Sequence, residues 1–172
     1  MSFWTEASLE PKRAFRFRIK SDNGLNLSKS RGKQDPFWWN AKTVTKPSYS
    51  VSSNEYQLIN QKFKVPGIVT WEPVNITMAS VGRTAEAFIR EIRNLGWNPD
   101  GLDDGVAKQS KNATTSMGKI RIQQIDGAGI PIETWLLEGA FISRVSFGTL
   151  DYSSDDIVEV QITVDYDYAI LE

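Results

Sequence analysis

Hydrophobic and polar residues alternate with a period of two over most of this chain, and the longest such run lies near its end. In VEVQITVDYDYAI, Val158, Val160, Ile162, Val164, Tyr166 and Tyr168 fall on one side of an extended strand, and Glu159, Gln161, Thr163, Asp165 and Asp167 on the other. Carried unbroken from Val158 to Tyr168, that strand would run roughly 36 Å, about twice the usual strand length. Near the start, AFRFRIK alternates Phe15, Phe17 and Ile19 with Arg16, Arg18 and Lys20, predicting a strand with one buried and one basic face that ends at the turn SDNG. PFWWNAKTVTKPSYSVS is extended in character but interrupted by Pro47, which marks a sheet edge, a bulge or a strand break. EYQLINQKFKV reads as one strand closed by Pro66-Gly67, and IVTWEPVNITMA as the next. GKIRIQQI and IPIETWLLEGAFI flank the hairpin signal DGAG, and RVSFGTLDY leads into the closing run.

One segment breaks this period. Ala85, Phe88, Ile89, Ile92 and Leu95 recur at the three-and-four spacing of a helical face, with Thr84 as N-cap and Gly96 and Pro99 as stops. The stretch that follows, residues 98–116, is nearly free of apolar residues and longer than most loops of a compact domain. One helix among many strands predicts a mainly β fold, a barrel or sandwich with the helix packed on its outside. The expectation is a single domain over residues 1–172, with a flexible segment at about 1–13, a hairpin arm at about 48–67 and the polar loop at about 98–116.

A chain of 172 residues with 40% hydrophobic and 11% aromatic residues has an ordinary globular composition, so disorder is not the expectation. The net charge of -1 gives no overall pull towards nucleic acid. Its distribution is uneven: Lys12, Arg13, Arg16, Arg18, Lys20, Lys29, Arg31 and Lys33 come early, while Asp151, Asp155, Asp156, Glu159, Asp165, Asp167 and Glu172 come late. Either the first and last strands pair within one sheet, or the opposite charges meet between subunits. No signal-peptide core and no run of eighteen apolar residues is present, so the expectation is a soluble protein made and kept in a cytosol.

Histidine and cysteine are both absent, which removes the commonest general base, the Ser-His and Cys-His nucleophile systems and the usual zinc ligands. Asp100, Asp103 and Asp104 in DGLDDG lack the alternate oxygens and terminal Glu of a calcium loop, and Gly101, Gly105, Gly127 and Gly129 form no phosphate-binding fingerprint. Glu133 and Glu138 are a conceivable glycosidase pair, although acids on an alternating strand are more often solvent-facing. The tryptophans, among them Trp38, Trp39, Trp71, Trp97 and Trp135, lie in apolar-patterned segments and read mainly as core. KSRGK is a weak nucleic-acid patch. No catalytic residue, cofactor or metal site is expected, and an enzyme is not the favoured reading.

The order of features does carry a resemblance. A basic-apolar first strand, NAKTVTKP, the arm SYSVSSNEYQLINQKFKVPG, VTWEPVNITM, one helix, a polar loop, a hairpin and FISRVSFGTLDYSSDDIVEVQITVDYDYAILE resemble the tail tube protein family of contractile-tailed bacteriophages. The specific stretches are GTLDYSS with the acidic break and closing strand after it, and VPGIVTWEPVNITM. The loop after the helix and the N-terminal MSFWTEASLEPKR depart from that pattern. The resemblance implies a structural subunit of hexameric rings stacked into a hollow tube inside a contractile sheath, with related rings in type VI secretion and tailocin particles. It implies self-association, contacts with sheath, baseplate, tape-measure and tail-terminator proteins, genomic DNA passing through without specific binding, and no small-molecule substrate. The location implied is the virion tail, assembled in the host cytoplasm.

Two sets of residues follow as candidates. Glu159, Gln161, Asp165 and Asp167 would line the lumen or face an adjacent subunit, where negative charge would let DNA slide past. Tyr49, Tyr56, Leu58, Ile59 and Phe63 would make ring contacts, because the arm carries more apolar surface than a lone exposed hairpin should. Completion of the monomer's own core is the alternative reading of the same residues. Two other functions stay open: a baseplate component that starts the tube, and a small-molecule-binding β-barrel with Trp135, Phe141 and Phe147 around its cavity.

Overall fold

A computed structural model describes residues 12–21, 40–82, 84–94 and 118–172. The alternating segments form ten strands among these residues. One sheet holds β1 (Phe17–Ser21), β6 (Ile120–Ile125), β7 (Pro131–Glu138) and β10 (Tyr168–Leu171), in the order β1-β6-β7-β10. The second holds β2 (Ala41–Val44), β5 (Val74–Ala79), β9 (Glu159–Asp165) and β8 (Phe141–Ser146), in the order β2-β5-β9-β8. The remaining pair, β3 (Ser48–Leu58) and β4 (Gln61–Glu72), forms a hairpin of its own. All observed pairings are antiparallel, as expected of strands joined in sequence by short turns.

The two four-stranded sheets pack as a sandwich. Ile19, Ile120, Ile122 and Leu137 from one meet Val74, Ile76, Met78, Val160, Ile162 and Val164 from the other in a common core. The helix α1 (Thr84–Asn94) contributes Phe88 to that core, fully buried. Its apolar face is narrower than the spacing predicts, since Ile89 and Ile92 are half-buried and Ala85 is exposed, while Leu95 lies outside the described residues. The Thr84 hydroxyl accepts from the Val81 amide at 3.0 Å and donates to the Val81 carbonyl at 2.6 Å, tying the helix start to the preceding turn.

Four boundaries and one strand pairing differ from the sequence expectation. The closing run is two strands in two sheets: the buried side of the alternation holds through Tyr166, but β9 ends at Asp165 and the chain crosses to β10 at residues 166–167. IPIETWLLEGAFI crosses in the opposite direction at Gly139-Ala140. The two crossings pack on each other, with the Asp167 amide donating to the Glu138 carbonyl at 3.0 Å. Gly139, at φ 65°, leaves room for Asp167 where any Cβ would overlap its carboxylate. In the arm, the turn falls at Ile59-Asn60 inside EYQLINQKFKV, and β4 runs through Pro66-Gly67 to Glu72. IVTWEPVNITMA is then divided at Pro73, which lacks the N–H to continue either ladder. Lastly, β1 and β10 share a sheet but occupy its opposite edges, so the basic first strand and the acidic last strand do not pair with each other in this chain.

Candidate assembly interface

The β3–β4 arm leaves the sandwich with every described residue of both strands exposed except Trp71, which is half-buried. The five predicted ring-contact residues, Tyr49, Tyr56, Leu58, Ile59 and Phe63, are therefore outside the core. The register divides them into two groups. Tyr49 pairs with Trp71 and Val51 with Val69; after a one-residue bulge in β4 opposite Ser52, Asn54 pairs with Val65, Tyr56 with Phe63 and Leu58 with Gln61. Along β3 Tyr56 and Leu58 both stand at odd offsets from Val51, so the apolar side changes faces between the halves. The extra residue in β4 carries Phe63 and Val65 across with it. Gly67 makes the bulge possible, because a Cβ there would overlap the Ser52 hydroxyl, and that hydroxyl accepts the Ile68 amide at 2.9 Å in place of a ladder bond.

The two halves differ in their support. At the base, Tyr49 and Trp71 meet edge-on at 5.2 Å between ring centroids, Trp71 meets Tyr166 at 5.9 Å, and the Tyr166 hydroxyl donates to the Glu72 carbonyl at 2.8 Å. Burial pushes the Tyr166 phenol above its ordinary pKa, consistent with a neutral donor held in the corner. At the tip no described residue covers Ile59, which is 86% exposed and sits at φ 48°. A β-branched side chain in the left-handed region costs about 1 to 3 kcal/mol, and no contact within the described chain offsets it. Between base and tip, the face opposite Tyr56, Leu58 and Phe63 is charged, with Lys62 and Glu55 3.5 Å apart.

The second predicted set is not brought onto one strand face. Glu159, Gln161 and Asp165 share the outward side of β9, an interior strand of its sheet, whereas Asp167 lies at the crossing corner. That outward side is less acidic than the sequence suggests, because Lys42 reaches across β5 to Glu159 at 2.5 Å. The opposite sheet presents Arg18, Lys20, Arg121 and Glu138 outwards with its charge partly paired: Arg121 lies 3.7 Å from Glu172 and Lys119 pairs with Glu138 at 2.6 Å, while Arg18 donates to the neutral Gln123 at 2.7 Å.

One cluster escapes sequence reasoning. Glu133 is not solvent-facing; its side chain is 12% exposed and receives Lys12, Lys46 at 2.7 Å and the Trp135 indole N–H at 2.5 Å. Hydrogen bonds from Lys12 and then Lys46 hold its pKa at about 2 against the opposing effect of burial, below the ordinary 4.5. The two lysines come from segments more than eighty residues away, so no local pattern signals the cage. Glu138 stands on the other face of β7, which rules out a paired-carboxylate mechanism for these two acids. Beside the cage, Phe17, Val44, Ile122 and Trp135 line an apolar cleft of about 310 Å³. Trp135 thus borders a cavity as the ligand-barrel reading requires, but Phe141 and Phe147 do not. The polar loop at 98–116, with Asp100, Asp103 and Asp104, the KSRGK segment, Trp38, Trp39, Trp97 and residues 1–11 lie outside the described residues. Among the described residues no group of three acids is arranged to hold a metal ion.

No protein-family model and no curated protein matches the chain. Solved structures do. The fold is similar to a chain of the anti-feeding prophage baseplate, 6-fold symmetrised, with TM-score 0.66 and 14% identity over 94% of this chain and 95% of that one. It is similar to a chain of the sheath-tube complex of an extracellular contractile injection system in its extended state, with TM-score 0.63 and 20% identity over 98% of each. A chain of that system's sheath/tube terminator matches with TM-score 0.66 and 21% identity over 94% of this chain and 96% of that one. The chain has the fold found in these contractile-injection assemblies, and the match spans nearly its whole length.

Proposed function

We propose that this chain is a structural subunit, not an enzyme, that closes into hexameric rings and stacks them into the hollow inner tube of a contractile particle. The observation that carries the reading is the arm: an exposed two-stranded ribbon with apolar side chains along its whole length is not a finished surface for a lone molecule. The fold shared with chains of a sheath-tube complex and its terminator supports the same conclusion.

Ring closure follows from the sheet edges. Among the described residues the β1-β6-β7-β10 sheet ends in two edge strands, the first with Arg16, Arg18 and Lys20 in or beside it and the second with Asp165, Asp167 and Glu172 around it, and Tyr168, Ile170 and Leu171 are exposed along the second. Sheet edges of opposite charge suit a heterologous contact in which β1 of one copy continues the antiparallel sheet beside β10 of the next. The outward row of that sheet then faces the bore, where Glu138 and Glu172 offset Lys119 and Arg121 and so limit the attraction of phosphate. A phage tail in which DNA is the cargo is the particle this reading favours. Glu159, Gln161 and Asp165 lie on the outward side of the other sheet, which favours contact with the sheath or an adjacent subunit over the lumen.

A baseplate tube initiator is the second reading, favoured by the likeness to the anti-feeding prophage baseplate chain. Electron microscopy of the purified chain separates the two: a main tube subunit gives long hollow tubes at high concentration, an initiator gives single rings, and neither reading survives if only monomers form at every concentration.

A further inference from the structure

The distal half of the arm is an amphipathic ribbon that the described residues leave uncovered, and the described surface contains a feature of matching chemistry. Between β8 and β9, residues 148–158 frame a hollow of about 1300 Å³. Its rim carries Leu150, Tyr152 and Ile157, all more than 70% exposed, interleaved with Asp151, Asp155 and Asp156. None of these three acids forms an ion pair among the described residues. The arm tip offers the counterpart. Tyr56, Leu58 and Phe63 lie on one face, Lys62 and Lys64 on the other, and Lys64 has no ion-pair partner among the described residues. A ribbon lying on a flat surface would use only one of its faces. Seated in a hollow it uses both, with apolar side chains against the apolar rim and lysines against the aspartates.

We propose that the β3–β4 tip of one copy seats in the hollow framed by residues 148–158 of another copy of this chain. The inference rests on the tube reading and names the surface that receives the arm. Donor and acceptor are different surfaces of one molecule, so the contact is heterologous and propagates from copy to copy, as a ring or stack requires. It also accounts for Ile59: a strained, exposed β-branched residue at a turn is costly in the monomer and useful only where another surface covers it.

The test uses the full chain, which contains no cysteine. A variant carrying both Leu58→Cys and Tyr152→Cys is oxidised mildly after assembly and run without reductant, beside each single-cysteine variant. A ladder of covalent multimers from the double variant alone, with at most dimers from the singles, is the expected result. A charge exchange gives an independent readout. Lys64→Glu and Asp155→Lys should each raise the concentration at which assembly begins by about threefold, and the combined variant should return it to near the parent value. Tubes that form normally without the ladder, or a combined variant worse than either single one, would overturn the docking proposal while leaving the tube reading intact. Absence of any assembly by the parent chain would overturn both.

Discussion

The two halves of the arm share a hairpin and differ in everything that holds it. The base is fixed by Tyr49, Trp71 and Tyr166 and by the Tyr166 hydrogen bond to Glu72. The tip has a comparable apolar content, on the other face, and no support among the described residues. Apolar residues near the body stabilise the monomer, whereas the same residue types some 20 Å further out, at about 3.3 Å per residue, are available only to a partner. The bulge at Gly67 is where one role gives way to the other, because it carries the β4 apolar residues from the base face to the tip face.

The largest expected effect is on assembly. Replacing Leu58 and Ile59 together by Asp should abolish rings and tubes while changing monomer stability by less than about 0.5 kcal/mol, checked by electron microscopy and urea unfolding. Loss of monomer stability instead would mean that the tip belongs to the core and the comparison fails. Trp71→Ala should do the reverse in the monomer, costing about 2 to 3 kcal/mol in urea unfolding because a half-buried aromatic contact with Tyr166 is removed. Tyr166→Phe, which deletes only the hydroxyl, should cost about 1 kcal/mol by the same measurement. Ile59→Gly sharpens the contrast: relief of the positive φ should stabilise the monomer by up to about 1 kcal/mol, yet weaken assembly by removing the side chain.

A smaller effect separates the body from the arm altogether. The Glu133 cage stabilises the fold fully above about pH 4.5, where the carboxylate is ionised in both folded and unfolded chains. Between about 4.5 and about 2 the unfolded chain takes up the proton first, so this contribution falls with pH. Glu133→Gln should flatten that part of the stability profile in acid unfolding, with no change in arm-dependent assembly.

The alternation of Val160, Ile162, Val164 and Tyr166 was legible because burial on one sheet face imposes a period of two, and these residues are buried as that period requires. The break after Asp165 was not legible, since Tyr166 and Tyr168 keep the same period across a crossing between sheets. Phe88 was readable from helical spacing, but the exposure of Ala85 depends on how far the helix sinks into the core, which is a tertiary quantity. An excess of apolar residues in the arm could be counted in the sequence. Their division into two faces could not, because Pro66-Gly67 reads as a strand end and acts as a bulge. The Glu133 cage was invisible because its lysines converge on it only through folding.

Negative-stain electron microscopy of the purified chain across a concentration series tests the central claim most directly. Six-fold rings that give way to hollow tubes as concentration rises are the predicted result. Monodisperse single subunits at every concentration would contradict it.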